Sequence, residues 1–420
     1  RMNPVLLKPS SDVGSQVIVN GRPVGNMKVA DYVRYKETAW QKVCQAYDSL
    51  AAEYDVVLLE GAGSPGEVNL KAHDIVNMRM ARYAHAPALL VGDIDRGGVY
   101  ASFIGHWDVM APWEQDLLAG FLVNRFRGDA SLLADAHDFL QQRTGRPVLG
   151  VVPHLADLGL PQEDSVSFKA GIYEGNRPEI PHVEIACIDL PHISNFTDIE
   201  PFLDEPDVYV RIVRRADELG RPDAVILPGS KNVLADLAAL RRQGLDAAII
   251  GLSGQGCEIV GICGGFQMLG HTLADPLGLE GVAGSRDRGL GLLDMVTELA
   301  ADKTLVRRSG VHLPSGCPVY GYEIHHGVSR GGRGELIRFS DGAACGQEER
   351  GGLVWGSYLH GIFDSDTFRR WFIDRLRTRK GMGKFQGKGA VYDLEPALDR
   401  LADVLRHSLD MQAIQALLRI

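Results

Sequence analysis

The chain has 420 residues, 45% apolar and 23% charged, with a mean hydropathy near zero. That balance excludes disordered and fibrous chains and allows two or three ordinary globular domains. A formal charge of -10 argues against bulk nucleic-acid binding, and six scattered cysteines without a C-x-x-C spacing argue against a disulfide scaffold or zinc ribbon.

No apolar run approaches the roughly 18 residues of a membrane span, and no leader pattern opens the chain, which reads as a cytoplasmic protein. The opening Arg1-Met2-Asn3-Pro4 moves at once into mid-domain texture, so an upstream segment is expected. Through residue 160, short buried runs alternate with helical patterns. Strands are expected at 55–60, 87–92, 117–124 and 147–152, and helices at 28–51, 72–84 and 131–143. This is the rhythm of an α/β domain with a mostly parallel sheet. Residues 161–181 lack a period and read as a linker. A second α/β domain is expected over 182–420. Its strands lie at 183–189, 208–213, 224–227 and 259–262, followed by a strand-rich part at 317–358 and amphipathic helices after 366 and 394.

The sharpest chemical signal is Cys263-Gly-Gly-Phe-Gln267, where a buried strand passes into a helix. Small neighbours permit a tight turn that leaves the sulfur exposed, and amides at the helix start favour the thiolate. The Gly264 N–H is then placed to stabilise an oxyanion. A second donor is expected from the turn Leu227-Pro-Gly-Ser230, where Gly229 brings the backbone close; the N–H of Gly229 and that of Ser230 are both candidates. His360, in Tyr358-Leu-His-Gly361, is the candidate base. The set resembles the type-1 glutamine amidotransferases, which hydrolyse glutamine through a cysteinyl thioester and pass ammonia to a second site. Most of them carry a glutamate two residues after the histidine, a position held here by Ile362. Glu323 is a weak candidate to orient the ring, and a strand-end role suits it better. His325 and His326 lack companion ligands at zinc spacing, and His325 is the more suggestive pocket residue.

A carboxylate accepts ammonia only after its oxygen becomes a leaving group, which ATP and Mg2+ provide. Glu60 at a strand end is the metal candidate, and Gly61 opens the turn Gly61-Ala-Gly-Ser-Pro-Gly66. Asp93 and Asp95 follow the next strand, and Asn124 and Arg125 follow a third. All sit beyond strand carboxyl ends, where open α/β sheets bind ligands. Ordinary βα-turn chemistry explains the same residue types. The P-loop G-x-x-x-x-G-K-[ST] is absent from these 420 residues.

Taken together, Asn3-Pro-Val-Leu-Leu-Lys8-Pro-Ser-Ser-Asp12, Glu60-Gly-Ala-Gly-Ser-Pro-Gly66, Gly92-Asp-Ile-Asp-Arg-Gly-Gly98, Pro191-His-Ile-Ser-Asn-Phe-Thr-Asp198 and the glutaminase motifs resemble the cobyric acid synthases. The resemblance implies a dethiobiotin-synthetase-like, P-loop-NTPase-type domain, here without its P-loop unit, joined to a glutamine amidotransferase domain. It implies ATP and Mg2+ as cofactors, with Lys8 and Asp12 toward the ATP/corrinoid cleft. Glutamine and an adenosylated corrinoid would be the substrates, the b, d, e and g carboxylates of adenosylcobyrinic acid a,c-diamide becoming amides. Cobyrinic acid a,c-diamide synthase, a cell-wall amidating ligase and a non-catalytic binding protein of the same fold are the alternatives. Oligomeric state is left open.

Overall fold

The structure, a computed structural model, describes residues 1–11, 14–156, 158–160, 177–332 and 335–418. Two compact units emerge. One comprises Arg1–Leu160 with Leu394–Ile420, the other Pro161–Asp393.

The first unit begins with an antiparallel meander, Val5–Ser11, Gly14–Val19 and Arg22–Lys28, and then the long helix Val29–Ala51. Its parallel sheet runs Ala88–Asp93, Leu118–Phe126, Val148–Pro153 in spatial order. Helices Val99–Val109 and Ala134–Thr144 form the crossovers. Phe103, Phe121, Val123 and Leu140 are fully or almost fully buried and make the core between sheet and helices.

Two expectations change here. Residues 55–60 are not a strand: they have no ladder, and Leu58 is 88% exposed. An apolar run becomes a parallel strand only when a neighbour satisfies its amides and both faces are covered. The terminal helices Glu395–Ser408 and Met411–Leu418 belong with the first unit rather than with the second domain. Asp410 N–H donates to Leu149 O at 2.7 Å, and Arg400 reaches Leu158 O at 2.8 Å. Gly150 makes this approach feasible, since a Cβ there would lie 2.4 Å from Ser408 O. Most of the expected linker falls outside the described residues.

The second unit holds a six-stranded sheet in the order Gln347–Glu349, Val354–Ser357, Glu258–Ile262, Ala224–Leu227, Val183–Ile188, Val208–Val213. All neighbours are parallel except the first pair. The three central strands are buried along almost their whole length, so they read as continuous apolar runs without alternation. A second, largely antiparallel sheet is built on the long hairpin Met295–His312 and Pro318–Gly331. Between helix Asp366–Arg379 and the six-stranded sheet, Phe202, Trp355, Phe363, Phe368 and Phe372 form one aromatic cluster with centroids 4.5 to 6.1 Å apart. No helix among the described residues is long and apolar enough to cross a membrane.

Candidate active site

Strand Glu258–Ile262 ends at Cys263, and helix Gly264–Leu269 starts at the next residue. The turn is so tight that Cys263 takes φ 51° and ψ -103°, a conformation costly for a residue with a Cβ. Its neighbours make room: a Cβ on Gly265 would sit 1.9 Å from Leu227 O. The Gly265 N–H donates to Pro228 O at 3.0 Å and locks the elbow to the adjacent strand end. Cys263 is 6% exposed, and its sulfur lies 3.6 Å from Ile324 O on the hairpin.

His360 lies in the strand Leu359–His360, paired with Tyr322 and Glu323 of the hairpin. The side chain is buried, and Asp198 grips it. Nδ1–H donates to Asp198 Oδ2 at 2.7 Å, while Asp198 Oδ1 accepts the Gly361 N–H at 2.7 Å. With Nδ1 so engaged, Nε2 is the nitrogen left to serve Cys263, which favours the charged ring. Burial works against the imidazolium, but the negative charges of Asp198 and Cys263 outweigh it and raise the His360 pKa to about 10. The Tyr322 ring stacks on the imidazole with centroids 5.3 Å apart, and the Asn195 amide donates to Tyr322 Oη at 2.5 Å.

Asp198 owes its position to a short 3-10 helix, Phe196–Phe202, pinned into the core by Ile199 and Phe202. Phe202 packs 4.5 Å from Phe363, three residues past His360, so acid and imidazole rest on one aromatic cluster. The turn Pro228-Gly229-Ser230 closes the site. A Cβ on Gly229 would lie 3.0 Å from His360 Cε1, and one on Gly264 would lie 2.7 Å from Ser230 N. The Ser230 amide is thus beside Gly264, while the α-carbon of Gly229 faces the imidazole.

Glu323 does not orient His360. Its Oε2 accepts from Arg308 Nε at 2.8 Å and its Oε1 lies 3.8 Å from His325 Nε2. Burial opposes ionisation, yet His325 and Arg308 hold the carboxyl below its ordinary range. Strand alternation explains the correction: Tyr322 is the residue opposite His360 in register, and Glu323 projects to the other face. His325 stacks on Tyr358 with centroids 3.7 Å apart and donates from Nδ1 to Gly327 O at 2.8 Å, a packing role. The residue that sequence reasoning missed is Asp198. Its own segment was recognisable, but nothing local ties it to a histidine far along the chain.

In the first unit, Asp93, Asp95, Asn124 and Arg125 do meet at neighbouring strand ends. Asp93 opposes Asn124 in register. Arg125 reaches Asp93 at 3.3 Å, and Arg127 reaches Asp95 at 3.1 Å. Asn124 Oδ1 caps its own neighbour, the Arg125 N–H, at 2.9 Å. Glu60 stands exposed on the segment without a ladder. Among the described residues no group of three or more His, Cys, Asp or Glu is placed to hold a metal. The turn after Glu60 is close-packed: a Cβ on Gly61 would lie 2.1 Å from Asn77 Oδ1, and Ser64 Oγ meets His106 Nε2 at 2.5 Å. That turn borders a cavity of about 560 Å3 that is also lined by Leu7, Tyr32, Lys36, Arg79 and Trp113. Lys8 lies on the first strand of the meander, opposite Gln16. Asp12 is outside the described residues.

Residues 184–368 match the CobB/CobQ-like glutamine amidotransferase domain, and residues 29–162 match an AAA domain. A cobyric acid synthase from Nitratidesulfovibrio vulgaris is 53% identical over 100% of this chain and 84% of its own length. One from Moorella thermoacetica is 44% identical over 99% of this chain and 83% of its own. The adenosylcobalamin biosynthesis bifunctional protein CobDQ of Leptospira interrogans is 47% identical over 99% of this chain and 48% of its own length. With the elbow, the imidazole and these relatives in view, the chain belongs to the cobyric acid synthase family and is a glutamine-dependent amidotransferase of cobalamin biosynthesis.

Proposed function

We propose that Cys263, His360 and Asp198 hydrolyse glutamine and that the ammonia released amidates the b, d, e and g carboxylates of adenosylcobyrinic acid a,c-diamide. One observation supports the first step above all others: the 2.7 Å contact between Asp198 and His360 Nδ1, which turns Nε2 toward a cysteine on a strained elbow. In that step the Cys263 sulfur attacks the amide carbon of glutamine, and the carbonyl electron pair moves onto oxygen. The amides of Gly264 and Ser230 receive the oxyanion. As the tetrahedral intermediate collapses, the C–N bond breaks and the protonated His360 gives its proton to the departing nitrogen. A water then attacks the thioester, His360 takes its proton, and glutamate leaves with Cys263 restored. Asp198 keeps the ring in the productive tautomer throughout and stabilises its charge.

The acceptor half rests on different support. The AAA match over 29–162 and the named relatives favour ATP-dependent activation of a corrinoid carboxylate, on a domain of the dethiobiotin-synthetase type. The described residues do not themselves assemble a magnesium site, because arginines occupy Asp93 and Asp95 and Glu60 stands apart. The strand-end cluster of Asp93, Asn124 and Arg125 is the part of this unit best placed to meet an anionic ligand. Mass spectrometry of corrinoid products tests the whole: successive carboxyl-to-amide conversions that require both ATP and glutamine are expected. Product formed without ATP would overturn the activation step, and amidation at the a and c positions would move the chain to the diamide synthase reaction.

A further inference from the structure

The hairpin over Cys263 carries a feature that the chemistry above leaves unused. Its strands pair from Met295↔Gly331 to Leu299↔Gly327, and again from Thr304↔His325. Residues 300 to 303 thus stand opposite His326 alone, an outsized bulge in a continuous ladder. Bulges re-aim side chains, and they cluster next to active sites. This one is fastened by the His326 ring, whose Nδ1–H donates to Ala300 O at 3.1 Å. Two residues before His326, Ile324 O is the group that touches the Cys263 sulfur.

The bulge ends in Lys303. Its side chain is only partly exposed, yet among the described residues it makes no hydrogen bond or ion pair. Such an ammonium is costly unless something else meets it. Lys303 immediately precedes Thr304, the register partner of His325, and so lies beside the stretch whose Ile324 carbonyl meets the sulfur; Cys263 and Glu280 both favour its charged form. Glu280 is tied to the other wall of the site: its Oε2 accepts the Val233 N–H at 2.7 Å, just after the Gly229-Ser230 turn. Burial pushes the Glu280 carboxyl up to about 7 against the opposing Val233 N–H; Asp275 and Asp236 add to the rise, and Lys303 offsets part of it. The fold therefore carries one ammonium and one carboxyl, not joined to each other among the described residues, on the two elements that flank the thiol.

Free glutamine differs from a glutamine residue within a protein by carrying an ammonium and a carboxylate on its α-carbon. A hydrolase restricted to the free amino acid must recognise that pair of charges at a side chain's length from its nucleophile. We infer that Lys303 and Glu280 receive the α-carboxylate and α-ammonium of glutamine, so that the bulge sets the specificity of the hydrolytic site. This inference rests on the assignment of Cys263 as nucleophile.

The test is steady-state hydrolysis by the full chain of L-glutamine, of its α-amide (no carboxylate) and of N-acetyl-L-glutamine (no ammonium). Wild type is expected to favour glutamine over either analogue by roughly 100-fold in kcat/KM, in keeping with sites that leave a buried polar group unpaired by the wrong substrate. Lys303→Met should raise KM for glutamine by about 30-fold with a much smaller change in kcat, and should lose discrimination against the α-amide alone. Glu280→Gln should lose discrimination against the N-acetyl compound alone, and Lys303→Arg should recover most of the wild-type KM. If Lys303→Met fails to fold, Lys303→Gln takes its place, and Glu280→Gln decides the matter independently through its own analogue preference. Unchanged KM and intact discrimination in Lys303→Met and Glu280→Gln would overturn the inference. Loss of wild-type hydrolysis in Cys263→Ala, measured alongside, would show that the nucleophile assignment survives that outcome; equal rates would remove both.

Discussion

The two clusters at strand carboxyl ends differ in what surrounds them. In the second unit, Cys263, His360 and Asp198 are all nearly buried, each placed by an element whose other side chains lie in one apolar core. In the first unit, Asp93 and Arg125 meet at 3.3 Å with side chains 29% and 49% exposed, at the ends of strands whose apolar side chains form a smaller core. Burial makes an acid–histidine contact strong because water cannot compete for either partner, whereas exposed pairs are screened and cost entropy to hold. The second unit's cluster is held in place by its buried surroundings, whereas the first unit's is a set of partly exposed polar strand ends. Substitutions that act through burial should have large effects, and those that act on exposed pairs small ones.

The largest effect is expected at the sulfur. Cys263→Ala should abolish glutamine hydrolysis, a fall of at least ~10^4 in ammonia release. Next comes Asp198→Asn, which keeps the shape but removes the charge and disturbs the tautomer; hydrolysis should drop by ~10^2 to 10^4. The same variant carries a pH signature. The folded pKa of His360, about 10, lies above its ordinary value of 6.5. The protonated ring therefore contributes stability fully below about pH 6.5, and that contribution is lost as pH rises through about 10. Urea titrations should show the gap between wild type and Asp198→Asn widest near pH 6 and narrowing in alkali. A gap that grows with pH would contradict the charged imidazole.

Glu323→Gln separates stability from catalysis. It leaves Arg308 with Asp341 as its remaining charged partner, so about 1 to 3 kcal/mol of stability should be lost by urea titration, with hydrolysis within about threefold of wild type. A fall as deep as that of Asp198→Asn would restore Glu323 as the orienting acid. The smallest effect belongs to the first unit. A double-mutant cycle of Asp93→Asn and Arg125→Gln should give a coupling below ~1 kcal/mol, and both variants should hydrolyse glutamine normally while losing corrinoid amidation.

Legibility in the sequence followed the same division. Strands 183–188, 224–227 and 258–262 were readable because burial on both faces writes a nearly unbroken apolar run, and edge strand 208–213 because β-branched residues recur along it. Cys263 stood out as a candidate because the elbow needs small residues at fixed neighbouring positions, and His360 because it closes a strand in Tyr358-Leu-His-Gly361. Asp198 was not, since its link to His360 is made by tertiary packing of Phe202 on Phe363. The early meander was missed although Asn20-Gly21, with φ of 49° and 78°, is the turn that two-residue hairpins demand. The run at 55–60 misled in the opposite sense, because hydrophobicity reports a wish for burial and not the partner that provides it. The affiliation of residues 394–418 was invisible for a similar reason: the leucine stripe shows that a face is buried without naming the surface it meets.

The most direct test is to mix the protein with labelled glutamine, quench in acid and map the acyl group by peptide mass spectrometry. A γ-glutamyl thioester on the peptide containing Cys263, slower to form in Asp198→Asn, is the predicted result. Label on another cysteine, or hydrolysis that continues with no acylated peptide and persists in Cys263→Ala, would contradict the account.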